Sequence, residues 1–156
     1  MKGIDFKKEE EIQIDLDVTS YIPDEYISDA NQKIEVYQNI ALCRNEEDIQ
    51  NVIDEVIDRF GNMPEQLENL IDIARIKYIS KKLDIEKIIS RRNGVVFTFN
   101  PNTVSEKIDI PMIVEQYGNR IKFSSGIKPM VTLEIKDTSD RNLLREVTEF
   151  VKFLNK

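Results

Sequence analysis

Residues 46–60 constrain the fold of this chain most. Their apolar members Ile49, Val52, Ile53, Val56, Ile57 and Phe60 follow an i, i+3, i+4, i+7, i+8, i+11 series, which an α-helix gathers on one face. Asn45 is placed to cap that helix. Glu46, Glu47 and Asp48 put negative charge in its first turn, where the helix dipole favours it. Gly61 stands where a chain leaves a helix with positive φ, and Pro64 suits the first position of a following helix. At 100° per residue, Asp48, Asn51, Glu55, Asp58 and Arg59 share the flank away from the core. Glu55 and Arg59 lie i, i+4 in the favourable order. Such a flank either faces water or presents carboxylates to a basic partner.

The rest of the pattern predicts an α+β fold, with a small, mostly antiparallel sheet and packed helices in a single domain. Residues 1–10 read as a linker remnant and 11–156 as the folded unit. Strict alternation from Glu11 to Val18 predicts a half-buried strand with Ile12, Ile14, Leu16 and Val18 inward. Tyr21-Ile-Pro-Asp-Glu-Tyr-Ile27 reads as a loop pinned by its apolar side chains, since Pro23 disfavours helix before it. Asp29 and Gln32 form a capping-box-like start to a helix reaching Cys43, with Ile34, Tyr37 and Ala41 on one face and Val36 and Ile40 beside them. A third helix, from about Glu65 to Leu83, is apolar on two sides and therefore central. Leu67, Leu70, Ile71, Ala74 and Tyr78 form one stripe; Ile73, Ile76, Ile79 and Leu83 form the other. Strands over Ile85–Ser90 and Val95–Phe99 meet at the hairpin signal Arg92-Asn-Gly94. Ile108–Tyr117 is ambiguous, with Pro111 suited to start a short helix. Ile121–Phe123 and Val131–Ile135 read as strands, and a last helix over about 140–155 begins near Ser139.

Composition narrows the chemistry. The chain of 156 residues has no His, one Cys and five Gly, so the commonest general base and a thiolate metal cluster are missing. No two glycines are close enough for a phosphate-binding loop. Catalysis by carboxylates alone is a weaker reading. Cys43, beside Ala41 and Leu42, reads as a packing residue. No apolar run approaches a membrane span and no secretory segment follows Met1, which predicts a cytoplasmic protein. Charge is uneven. Residues 1–74 hold 19 acids against 6 bases, while 75–92 hold 2 acids against 7 bases. The first part suits a basic protein surface. The basic segment 75–92 leaves open a nucleic-acid-binding module, although the net charge is −7.

Three segments, in order, resemble the C-terminal regulatory domain of bacterial transcription-repair coupling factor (Mfd). Tyr21-Ile-Pro-Asp-Glu-Tyr-Ile27 is similar to its Y-I-P-x-x-Y-I motif and Lys33-Ile-Glu-Val-Tyr37 to its K-I-x-x-Y. Glu55-Val-Ile-Asp-Arg-Phe-Gly-Asn-Met-Pro64 is similar to its E-x-x-D-R-F-G-x-x-P. The resemblance is strong over 12–83 and compatible beyond. It implies a non-enzymatic piece of an ATP-driven DNA translocase that couples RNA polymerase stalled at DNA damage to nucleotide excision repair. The fragment would need no cofactor, ATP and magnesium belonging to the parent motor. It would dock on the parent's UvrB-like N-terminal module and cover the surface used by UvrA until RNA polymerase and DNA are engaged. No membrane partner is implied. Carried over by motif, the docking residues are Glu55, Asp58 and Arg59. Phe60 and Gly61 fall to core and cap, and Pro23, Tyr26, Tyr37 and Pro64 to structural roles.

Overall fold

The computed structural model describes residues 11–156; the linker remnant expected over 1–10 lies outside them. Helices α1 (Ala30–Ala41), α2 (Glu46–Phe60) and α3 (Glu65–Lys82) follow a short strand β1 (Gln13–Asp15). Strands β2 (Ile85–Arg91) and β3 (Gly94–Phe99) come next, then short helices α4 (Val104–Lys107) and α5 (Ile110–Tyr117). Strands β4 (Ile121–Ser124) and β5 (Met130–Glu134) precede the last helix, α6 (Asp140–Leu154). The strands form one sheet in the order β1-β2-β3-β5-β4, with β1 parallel to β2 and every other pairing antiparallel. The α+β expectation is met.

Two apolar cores share α3. In one, Phe97 and Leu133 of the sheet, Ile76 and Ile79 of α3, and Leu144 and Phe150 of α6 pack together. The Phe97 and Phe150 rings stand 4.8 Å apart, and Tyr117 closes edge-on over Phe150 at 5.1 Å. In the other, Ile22 and Ile27 of the loop before α1 meet Val36, Ile40, Ile49, Val56, Leu67 and Ile71. The two stripes read from the sequence of α3 divide between these cores as their spacing requires. Tyr78 touches both.

Local chemistry departs from expectation at several points. Only three residues of Glu11–Val18 pair as a strand. The Asp17 amide donates instead to Ser90 Oγ (2.9 Å) and the Val18 amide to the Leu16 carbonyl (2.8 Å), which turns the chain away from the sheet. The inward alternation still holds, with Ile12 and Leu16 buried. Pro64 is the cap before α3 rather than its first residue. Asp29 accepts from the Asn31 amide (3.2 Å) as a one-sided cap, without a return bond from Gln32 among the described residues. Ser139 holds the cap position of α6 without a side-chain bond. Gly94 is not the turning residue of its hairpin: it pairs with Arg91 and Glu134, and a Cβ there would lie 2.1 Å from the Leu133 carbonyl oxygen. Close backbone approach is what requires glycine. Gly61, at φ 90°, does make the expected left-handed exit from α2.

α1 also turns differently. Val36 and Ile40 are buried, whereas Ile34 is 53% exposed and Ala41 is exposed. Both stripes of α1 are apolar, so periodicity could not choose between them. Residues 104–107, assigned to no element from the sequence, form a helical turn. The ambiguous segment resolves to α5, capped by Asp109, which accepts from the Met112 amide at 3.2 Å. No helix among the described residues is long and apolar enough to cross a membrane.

Candidate functional site

The α1–α2 hairpin presents the predicted docking residues. α2 is capped as expected: Asn45 Oδ1 accepts from the Asp48 amide at 2.8 Å, with three carboxylates in the first turn. Asp48 does not join the outer flank as a free carboxylate, because its Oδ2 accepts from the Arg44 amide at 3.0 Å. Ile57, read as part of the buried stripe, is 42% exposed at its margin and sits between Glu55 and Asp58 in the chain.

Glu55, Asp58 and Arg59 are all exposed on the last two turns of α2. Arg59 donates to Glu55 Oε1 at 3.3 Å, the i, i+4 pair read from the sequence. It also lies 4.0 Å from Glu35 Oε1 on α1 and 5.0 Å from the centre of the Phe60 ring. Asp58 has no ion pair among the described residues. The surface thus offers one unpaired carboxylate, two carboxylates sharing a single guanidinium, and an exposed isoleucine. A basic partner could pair with the acids while a partner acid competes for Arg59. Glu35 was missed from the sequence. It occupies a variable position of K-I-x-x-Y, and only the register of the hairpin brings it to Arg59.

The backbone under this flank is locked by the other two motif segments. Tyr26 donates its hydroxyl to the Gly61 carbonyl (2.6 Å), with the Val56 carbonyl at 3.1 Å, and its ring packs on Phe60 at 5.8 Å. Burial raises the Tyr26 phenol above its ordinary value. Tyr37 Oη accepts from the Ile22 amide (2.8 Å), and Lys33 pairs with Asp24. The amides of Tyr26 and Ile27 close on the Pro23 carbonyl at 3.0 and 3.1 Å. Tyr26, Tyr37 and Pro23 are therefore structural, and Phe60 is the platform between Tyr26 and Arg59. Cys43 packs half-buried against the same core.

A second polar cluster joins α2, α3 and α6. Arg75 grips Glu46 with two bonds (2.9 and 2.8 Å) and Asp72 with a third (2.7 Å); Tyr78 donates to Glu46 at 2.8 Å. Arg141 bridges from α6 to Asp72 and to Asn69 Oδ1, both at 2.8 Å. The buried Asn69 donates to the Thr19 carbonyl at 2.8 Å. The bond from Arg75 holds the Glu46 carboxyl below its ordinary value. Burial, then the bond to Glu46, pushes the Tyr78 phenol up to about 12. Arg75 is thus engaged inside the protein, which removes it from the basic segment 75–92 as a surface cation. This cluster was not legible in advance, since its bonds between elements join residues 29 to 72 positions apart.

The family model of the TRCF domain matches residues 16–110. The chain is 38% identical over 139 residues to the transcription-repair-coupling factor of Rickettsia prowazekii, covering 88% of this chain and 12% of that protein. It is 32% identical over 158 positions to that of Bacillus subtilis, covering 98% of this chain and 13% of that protein. The chain therefore spans about an eighth of the length of these relatives, and the similarity runs well beyond residue 83. Among solved structures, the crystal structure of the C-terminal domain of transcription-repair coupling factor superposes with a TM-score of 0.83 at 22% identity, covering 92% of this chain and 91% of that one. That likeness establishes the shared fold. With the family match extending over most of the chain and the three motif segments locked around α2, this chain belongs to the TRCF domain family of transcription-repair coupling factors.

Proposed function

We propose that this domain is the docking and autoinhibitory element of an ATP-dependent DNA translocase in transcription-coupled nucleotide excision repair. It acts in the cytoplasm on its own parent, masking the UvrA-binding surface of the UvrB-like module until RNA polymerase and DNA are engaged. Glu55, Asp58 and Arg59 make the contacts, with Glu35 setting the approach of Arg59. The fragment supplies a surface and needs no cofactor; ATP and magnesium serve the parent motor. The observation that carries this reading is the flank itself: exposed charge, an unpaired Asp58 and an Arg59 shared by Glu55 and Glu35 on a helix end whose backbone Tyr26 fixes. Fixed geometry lowers the ordering cost of docking.

A polar interface of this kind is weak alone and salt-sensitive. A tether raises its effective concentration, so the closed form dominates without extensive apolar burial. Engagement of the polymerase and DNA, with ATP hydrolysis, then shifts the population to the open form. The test is UvrA binding by the full-length parent without polymerase. Exchanging Glu55 and Asp58 for lysine should tighten that binding by roughly tenfold or more, the scale of two reversed ion pairs. Unchanged UvrA affinity in the folded variant would contradict the masking role.

A further inference from the structure

At the opposite end of α2 from the docking flank, the α1–α2 link, the end of α3 and the β1–β2 edge enclose a groove of about 1030 Å³. The two sites stand roughly 20 Å apart along the helix. In a chain of net charge −7, six cations gather in the groove: Arg44, Lys77, Lys81, Lys82, Lys87 and Lys128. Lys128 pairs with Glu86 (3.0 Å) and Lys82 lies over the Tyr78 ring at 5.7 Å. Lys77, Lys87 and the Arg44 guanidinium have no ion pair among the described residues. Leu42, 69% exposed, lines the same groove.

We infer that this groove binds an extended acidic peptide segment carrying an apolar side chain, a second docking site separate from the α2 flank. Three features favour a peptide over a nucleic-acid strand. Glu11, Asp84 and Glu86 interrupt the cations, which suits spaced carboxylates better than a continuous row of phosphates. Tyr78, the aromatic ring in the lining, is bonded to Glu46, packed against both cores and overlaid by Lys82 on one face, which disfavours base stacking. Leu42 gives an apolar side chain a contact that a phosphate backbone cannot use. The groove also reaches Gln13, the first residue of β1, the terminal strand of the sheet, whose outer edge is unpaired among the described residues. An extended chain can add to such an edge through its backbone.

The test is fluorescence anisotropy with a fluorescein-labelled peptide rich in Glu and Asp and containing two leucines, at physiological salt. A matched peptide with Gln and Asn in place of the acids and a single-stranded oligo-dT serve as competitors. The acidic peptide should bind, and K77E/K87E should weaken it by roughly tenfold or more. L42S should weaken it several-fold, while E55K/D58K on the far end of α2 should leave it unchanged. Circular dichroism and thermal melting confirm that each variant folds. Wild-type binding by K77E/K87E, equal binding of the uncharged peptide, or tighter binding of oligo-dT would each overturn the proposal.

Discussion

The helical hairpin and the sheet are held together by different physics. Around α1 and α2, side-chain hydroxyls and a carboxamide fix backbone groups: Tyr26 on the Gly61 and Val56 carbonyls, Tyr37 on the Ile22 amide, Asn45 on the Asp48 amide. Around the sheet, stability comes from interdigitated apolar groups such as Phe97, Leu133, Leu144 and Phe150. A hydroxyl aimed at one carbonyl tolerates no substitute, whereas an apolar core accepts swaps of similar volume. Recognisable sequence motifs therefore belong to the first region. The proposed docking flank lies in that region, where the fixed backbone suits a polar contact surface.

The largest way to break the comparison is in the sheet core. Phe150→Ala should cost about 3–5 kcal/mol in chemical denaturation, because it empties a ring-sized space between Phe97 and Tyr117. A loss below about 1 kcal/mol would mean that this core is not the main support. Next comes the hairpin lock. Tyr26→Phe keeps the ring on Phe60 but leaves the Gly61 and Val56 carbonyls without the hydroxyl, an expected cost of about 1–2 kcal/mol. Hydrogen exchange should quicken at the end of α2 and not in β3. Uniform quickening would erase the distinction between the two regions.

The smaller effects lie in the cluster that joins the two regions, and they appear as pH dependence. Glu46 has a depressed folded pKa, so its contribution is complete above the unfolded value and is lost as pH falls toward the folded one. Melting curves below about pH 5 should therefore fall less steeply in E46Q than in the parent. Tyr78 is the reverse case. Its phenol is raised to about 12, so its contribution is full below pH ~10 and fades as pH climbs toward 12. Ultraviolet titration should show a tyrosine ionising near 12 that Y78F removes. An ordinary phenol titration in the parent would remove Tyr78 from the cluster.

Elements with strong periodicity and explicit punctuation were legible in the sequence. α2 runs Glu46–Phe60 as its apolar series and Gly61 dictate, and α3 divides its two stripes between two cores. The residues proposed for docking were legible as a helix flank, with Glu55 and Arg59 paired as their spacing requires. What escaped depends on contacts across the chain. Ile34 and Ile57 look like core residues, but the thin hairpin leaves both partly open. Glu35 gains its place from the turn between α1 and α2, and the Arg75–Glu46–Tyr78 cluster from the docking of α3. Gly94 signals a turn in sequence, yet the neighbouring strand is what requires it.

The most direct measurement is titration calorimetry of this domain against the separate UvrB-like module at low and moderate salt, with E55K/D58K alongside. The account predicts binding that weakens with salt and is lost in the variant, while the variant's melting midpoint stays within about 2 °C of the parent. Binding of equal strength by the folded variant would contradict the assignment of Glu55 and Asp58 as the docking contacts.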